Sequence, residues 1–298
     1  MTERPPSRLL ASALYGATIA AAVAAPALID RVARRVPPPV AESAVTATLV
    51  AGAWATIAGL ERVRPYREDW NRSDGAESTD LFHLVVGGAT TQVLGAALTT
   101  PVRSRLRRAN AGRAMSPLPL PARIAVSLVV YDLYHSALHR LAHEWGPLWR
   151  LHAVHHSAPR LYWLNATRFH PLEMLLDATG ENLIAAALGL DARAAVGHRV
   201  FRGIFGQIQH ANVAMDSGTA NAVLSSPERH RWHHSTVPAE GNTNYGALFC
   251  VWDRLVGTDY LPDGQEMTGE IGVGGMPDFP QDILGQLEAP LRWNALPA

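Results

Sequence analysis

Over the first third of the chain, uncharged apolar stretches alternate with short arginine-bearing loops. Leu9 to Ile29 carries no charge. Wound as a helix it would reach about 31 Å, roughly the thickness of a bilayer core. Ser43 to Leu60 is likewise uncharged, and Leu81 to Val102 has His83 as its single titratable side chain. These stretches predict three transmembrane helices. Ile124 to Tyr131, extended back over Leu118 to Arg123, predicts a fourth. The first stretch has a competing reading as a signal peptide, with Arg4 and Arg8 before it and Ala-Ala-Pro-Ala near its end. It is longer than a signal core and further spans follow, so the membrane-helix reading is preferred.

A second apolar pair is interrupted by charge. Pro171 to Leu190 contains Asp177 and Glu181, and Ala194 to Val213 contains Arg199 and Arg202. Charges inside a bilayer are costly and turn toward a protein interior or a site. The pair is therefore expected either as a hairpin dipping into the membrane or as amphipathic helices on its surface. Beyond Pro262 the chain is rich in Gly and Pro, with one short amphipathic piece from Ile283 to Leu291. No internal repeat and no long linker divides it. The expected fold is all-α: a polytopic membrane helical bundle of about four transmembrane helices, plus a re-entrant or interfacial hairpin, capped by a helical histidine-rich region.

Composition narrows the chemistry. Charged residues make up 17% of the chain, below the quarter or so usual for soluble domains, as a membrane protein requires. The formal net charge is zero, so no nucleic-acid partner is expected. A single cysteine, Cys250, excludes an internal disulfide and a thiolate cluster, so any metal site must use nitrogen and oxygen ligands. All 26 basic residues are arginine, a bias expected of a G+C-rich bacterial genome.

Most of the thirteen histidines fall into short runs. His139 and His143 are four apart, with His135 one turn before them. His152, His155 and His156 read H-x-x-H-H, and His230, His233 and His234 repeat that spelling. Positions i and i+4 share a helix face. In H-x-x-H-H the first two rings also share a face, and the third lies about 100° further round. Neutral imidazole suits iron and zinc, so two triads and a pair predict a dinuclear site with an imidazole shell. A structural zinc site is the competing reading. His83 and His198, isolated in apolar surroundings, are not expected to be ligands. Other chemistries fall away: Pro147 stands where a zinc-protease H-E-x-x-H would need its second histidine, and Ser225 and Ser226 lack a nucleophile-elbow context. The G-V-G-G at 272–275 sits in a loop rather than after a strand.

The run Y-D-L-Y-H-S-A-L-H-R-L-A-H, followed by L-W-R-L-H-A-V-H-H-S and R-F-H-P-L-E, resembles the fatty acid hydroxylase / sterol desaturase superfamily of integral-membrane di-metal oxygenases. So do Q-H-A-N at Gln209–Asn212, E-R-H-R-W-H-H-S at Glu228–Ser235, and the segment from Asn244 to Thr258. The resemblance covers roughly Ile124 to Leu261. It implies metal ligation by His139, His143, His152, His155, His156, His230, His233 and His234. It adds His170 from R-x-H-P and His210 from Q-H-x-N, and leaves His135 as an extra. It divides the chain into N-terminal transmembrane helices (1–120), a hydroxylase-like catalytic region (121–262) and a tail packing on the cap (263–298).

The resemblance further implies two iron ions, with zinc as an alternative occupant of purified or crystallised protein. The implied reaction is dioxygen-dependent hydroxylation of an unactivated C–H bond in a lipid or other hydrophobic substrate. Desaturation is the alternative outcome of the same chemistry, and a zinc-bound membrane hydrolase or isomerase is the alternative class. No fused cytochrome domain is recognisable, so electrons are expected from a separate ferredoxin, cytochrome or reductase. Arginine counts in the loops do not orient the chain. A bacterial inner membrane with a cytoplasmic histidine face is expected because the reaction draws electrons from the cell. Asp132, Glu173 and Asp253 are candidates to orient rings through their second nitrogen. Asn165, Asn212 and Asn244 are polar candidates to line the site, and Trp145, Trp149, Trp163 and Trp232 are expected to pack or to anchor at the interface.

Overall fold

The computed structural model describes residues 5–109, 115–267 and 269–297. Helix α1 (Arg8–Val32) begins where Ser7 Oγ accepts the amide of Leu10, and α2 (Pro38–Val63) begins on a proline, whose missing N–H costs nothing in a first turn. The third apolar stretch forms α3 (Glu77–Phe82), a π-turn over His83–Gly87, and α4 (Gly88–Arg108). These three units, read as Arg8–Val32, Pro38–Val63 and Glu77–Leu106, are the helices among the described residues long and apolar enough to cross a membrane. Then come α5 (Leu120–Glu144) and α6 (Gly146–His156). The expected fourth span is α5; it matches α1 in length, but Asp132, His135, His139 and His143 occupy its second half, so it fails on composition.

The charged pair becomes α7 (Pro171–Ala187) and α8 (Ala192–His210). Of its two expected placements, the surface one does not hold. Helix α8 runs through the interior against α1, α2 and α5, and Val200, Phe205 and Ile208 on it are fully buried. Helix α7 packs on α4 and α5. The charges that made the pair look unfit for a bundle are paired inside it: Arg202 on α8 binds Asp177 and Glu181 on α7, and Arg199 on α8 binds Glu42 on α2.

Helix α8 approaches α1 and α5 closely at Gly197. A Cβ there would stand 2.8 Å from the carbonyl oxygen of Ala22 and 2.3 Å from Ile124 Cδ1. The backbone oxygen cannot yield without moving a helix. Gly197→Val is therefore expected to lower stability by about 1–3 kcal/mol, read as an earlier thermal unfolding transition in detergent.

The cap contains α6, α9 (Pro227–His233), α10 (Pro238–Gly241), α11 (Val251–Val256) and the tail helix α12 (Ile283–Glu288). Tail residues Phe279 and Ala289 pack on Ala153 and Val154 of α6. Gln286 of α12 meets His83 Nε2 at 2.8 Å, tying the tail to the third span. His83 thus has a buried partner of its own and joins none of the histidine groups that could hold a metal.

Candidate metal centre

Four helix ends meet beneath the cap. Helix α5 presents His139 and His143 one turn apart, and α6 follows with His152, His155 and His156. Helix α8 stops at His210. Ser226 and Pro227 start α9, which carries His230 and His233 and ends on His234 as its C-cap; His230 and His234, four apart, turn to one group and His233 to the other. The nine rings sort into two groups, His139, His143, His152, His156 and His233 in one and His155, His210, His230 and His234 in the other. Within each group one nitrogen per ring lies within 4.8 Å of all the others. All but the half-buried His143 are buried.

On six of the nine rings the Nδ1 is anchored. His139 Nδ1 donates to the carbonyl of Tyr245 (2.8 Å), His233 Nδ1 to that of Thr243 (2.7 Å), and His155 Nδ1 to that of Arg168 (3.3 Å). His143 Nδ1 meets Asn242 Oδ1 and His210 Nδ1 meets Asn165 Oδ1, each at 3.0 Å. His152 Nδ1 sits 2.6 Å from Glu173 Oε1. A carbonyl can only accept, so where it holds Nδ1 the proton is there and Nε2 keeps a bare lone pair. The Nε2 atoms of His143 and His233 are buried with no hydrogen-bond partner. His139 Nε2 faces His152 Nε2 at 3.0 Å, and His210 Nε2 faces His230 Nε2 at 2.8 Å. Bare buried acceptors such as Nε2 of His139 and His233, turned toward other imidazoles, are unfavourable unless a cation lies among them. The donor set therefore fits a metal ion in each group.

Electrostatics agree. Burial, reinforced by neighbouring rings, holds His155, His156, His230, His233 and His234 well below the usual histidine range. These rings are neutral at physiological pH, the state a metal ligand needs. The Phe169 ring lies flat on His155, with centroids 3.9 Å apart and planes 9° from parallel, which fixes that imidazole's plane.

The structure does not bring His170 to either group. Its Nδ1 accepts the amide of Leu172, and its Nε2 lies 3.3 Å from the Leu287 carbonyl, so the ring caps α7 and holds the tail. His135 bonds to Asp177 (2.9 Å), and His198 to Ser127 (3.0 Å). Among the candidate orienting residues, Glu173 touches a ring directly. Asp132 instead accepts the amides of Leu248 and Phe249, and Asp253 those of Tyr245 and Gly246. Both carboxylates shape the loop whose Tyr245 carbonyl holds His139. Asn244, at φ 56°, clips Arg229 to Tyr260, while Asn212 clips the chain at Arg67 and Asn71. Neither asparagine touches a histidine ring in these bonds. Asn242 and the three carbonyls went unforeseen: a main-chain oxygen has no signature in sequence.

Glu173→Gln removes the carboxylate behind His152. Loss of such a partner costs about 10–100-fold in metal affinity. That loss, with the thermal transition of the metal-free protein nearly unmoved, is the expected outcome of a chelator competition on the purified variant.

A cavity of about 370 Å³ runs from the histidines into the bundle. His139, His155 and His230 line one end, and Trp54, Leu84 and Gly203 line its reach among the long helices. Its size suits a substantial organic ligand.

Fold and site together define an integral-membrane helical protein whose buried histidine cage can hold metal. The sequence model of the fatty acid hydroxylase family matches residues 124–258. The chain is 33% identical over 242 residues to the ornithine lipid hydroxylase OlsE of Rhizobium tropici, covering 79% of this chain and 72% of that protein. It is 30% identical over 135 residues to an alkylglycerol monooxygenase of Caenorhabditis elegans, covering 44% of this chain and 26% of that one. It is 29% identical over 141 residues to methylsterol monooxygenase 1 of Rattus norvegicus, covering 46% of each. No solved structure matches. The chain belongs to the fatty acid hydroxylase family, and the relatives named are hydroxylases and monooxygenases, that is, oxidoreductases.

Proposed function

We propose that this chain is a membrane-bound di-iron oxygenase that hydroxylates an unactivated C–H bond of a lipid, using dioxygen and electrons from a separate ferredoxin, cytochrome or reductase. The observation that carries the reading is the pair of inward-facing histidine groups lining a cavity that reaches the long apolar helices. Two groups favour two ions, one in each. The ligands would be His139, His143, His152, His156 and His233 for one ion and His155, His210, His230 and His234 for the other. Iron bound there supplies dioxygen activation and oxidation of the C–H bond.

The chain's own groups do the rest. The carbonyls of Tyr245, Thr243 and Arg168 hold three rings in one tautomer. Glu173 draws on the Nδ1 proton of His152 and raises the basicity of that ring. Leu138, Met174 and Leu248 on the cavity wall exclude water and align an apolar chain beside the cage. Alignment matters, because a shift of about 1 Å can cost on the order of a hundredfold in rate. The match to an ornithine lipid hydroxylase over most of its length supports a membrane lipid with a polar head as substrate. It also supports a bacterial inner membrane as the location. The need for cellular electrons supports a cytoplasmic cage, with residues 121–262 as the catalytic region between the N-terminal helices (1–120) and the tail (263–298).

The test is oxygen uptake by iron-loaded protein in lipid nanodiscs with a chemical reductant and an extract of bacterial membrane lipids. Reductant-dependent uptake and a lipid product heavier by one oxygen atom are expected. A protein that retains zinc, takes up no oxygen after iron reconstitution and still converts lipid would establish the hydrolase or isomerase reading instead.

A further inference from the structure

One wall of the cavity lacks a side chain where the fold asks for no glycine. Helix α8 turns one face to the cavity, with Arg199, Arg202, Gly203, Gly206 and His210 at helical spacing along it. Phe205 and Gln207 beside Gly206 are buried, while Gly206 itself stays partly open. A glycine inside a helix is usually required by a positive φ or by a backbone too close for a Cβ. Neither holds at Gly206. Its φ is not positive, and a Cβ built on it meets no heavy atom within 4 Å among the described residues. At Gly197 on the same helix that atom would stand 2.8 Å from a backbone oxygen. At Gly203 it would touch Val50 at an ordinary 3.6 Å, and the Gly203 carbonyl accepts from Trp54 Nε1 at 2.8 Å.

Glycine weakens a helix interior relative to alanine. At position 206 it therefore costs stability and relieves no clash; what it leaves is room. That room adjoins the cage. Helical side chains lean back over the preceding turn, so the His210 ring, about 6 Å further along α8, reaches over Gly206. His155 and His230 of the same metal group line the cavity with it. A smooth wall here would pass a single straight alkyl chain. A recess in the wall admits a substituent on that chain, at the level of the ligands.

We propose that Gly206 is a specificity-determining residue: by withholding a side chain it widens the cavity beside His155, His210 and His230, and so admits a branched lipid segment next to the metal centre. The inference rests on the lipid-oxygenase reading and deepens it by naming the residue that gauges substrate width. A larger side chain at 206 would grow along the cavity toward the turn of Arg202 and Gly203. Phe205 and Ile208, packed in the core from the same helix, would not be displaced. The position can therefore be filled without unfolding the bundle.

The experiment is equilibrium binding, by calorimetry on the full-length metal-loaded protein in nanodiscs without reductant. The probes are two isomeric alcohols, straight dodecanol and branched 2-butyloctanol, with empty nanodiscs subtracted. The wild-type protein is expected to bind the two within about threefold of each other. Gly206→Leu is expected to weaken the branched isomer at least about tenfold while dodecanol stays within about threefold of its wild-type value, which reports an intact cavity. Gly206→Ala is expected to raise the thermal transition and to weaken the branched isomer about threefold. Gly16→Leu, the same change at an exposed and equally open position on α1, should alter neither probe. A wild-type protein that rejects the branched isomer tenfold overturns the proposal, as does a Gly206→Leu protein that keeps it or that loses both isomers equally. Should the leucine variant fail to fold, Gly206→Ala decides: branched binding at the wild-type value overturns the proposal, and a selective loss supports it. No oxygen is consumed in this assay, so a protein that gauges branching at Gly206 yet takes up no oxygen refutes the oxygenase reading alone.

Discussion

His233→Ala is expected to abolish lipid oxidation and strip metal from the protein. The ring is fully buried, its Nδ1 is committed to the Thr243 carbonyl, and its bare Nε2 points among four other imidazoles. Alanine removes a ligand and leaves a polar-walled void that no neighbour can fill. His155→Ala should do the same in the other group, where the ring is clamped between the Arg168 carbonyl and the face of Phe169. Losing a partner behind a ligand costs about 10–100-fold in metal affinity, so losing the ligand itself should exceed that. Activity below about one-hundredth of wild type, with a matching fall in bound metal by elemental analysis, is the expected result. His83→Ala is the control: it breaks a bond to Gln286 and touches neither group, so metal content should hold. A His233→Ala protein with normal metal and full turnover would remove that histidine from the ligand set.

Arg168→Met is expected to destabilise the fold by about 3–5 kcal/mol, the usual cost of stranding one member of a buried ion pair. Arg168 and Asp80 both have fully buried side chains and pair at 2.5 Å, and Asp80 also accepts the Tyr162 hydroxyl. Arg168 reaches Gln281 in the tail at 2.6 Å, while its own carbonyl holds His155. One residue therefore joins the third membrane span, the tail and the cage. Thermal unfolding in detergent should move sharply downward, with metal loading reduced alongside it. Adding Asp80→Asn to Arg168→Met should recover part of the loss, because no charge is then left alone. An unchanged transition in the single variant would mean that the pair does not hold cap to span.

The parts legible in the sequence were those written in side-chain spacing. His139 and His143 declare a shared helix face by period alone, and the long uncharged runs declare three spans, but in each H-x-x-H-H triad the first and third histidines, four apart, share a group while the second joins the other group, against the first-and-second pairing expected from the spacing. His170 looked equivalent because the R-x-H-P wording matches a family element. Its ring is instead used by the backbone, capping the helix that Pro171 opens. Asp132 and Asp253 read as partners for imidazole because sequence shows a carboxylate and not its donor; the donors are amides of the 245–249 loop, over a hundred residues from Asp132. The main-chain oxygens that set three tautomers had no sequence trace. The charges of α7 and α8 were visible, but their pairing across the bundle is a tertiary fact.

The most direct test of the central claim is metal stoichiometry in protein purified from iron-supplied cells, with the coordination read by X-ray absorption. Two iron atoms per chain in a shell dominated by imidazole nitrogen is the result this account requires. Protein that folds normally, turns over lipid and carries less than one transition metal per chain would contradict it.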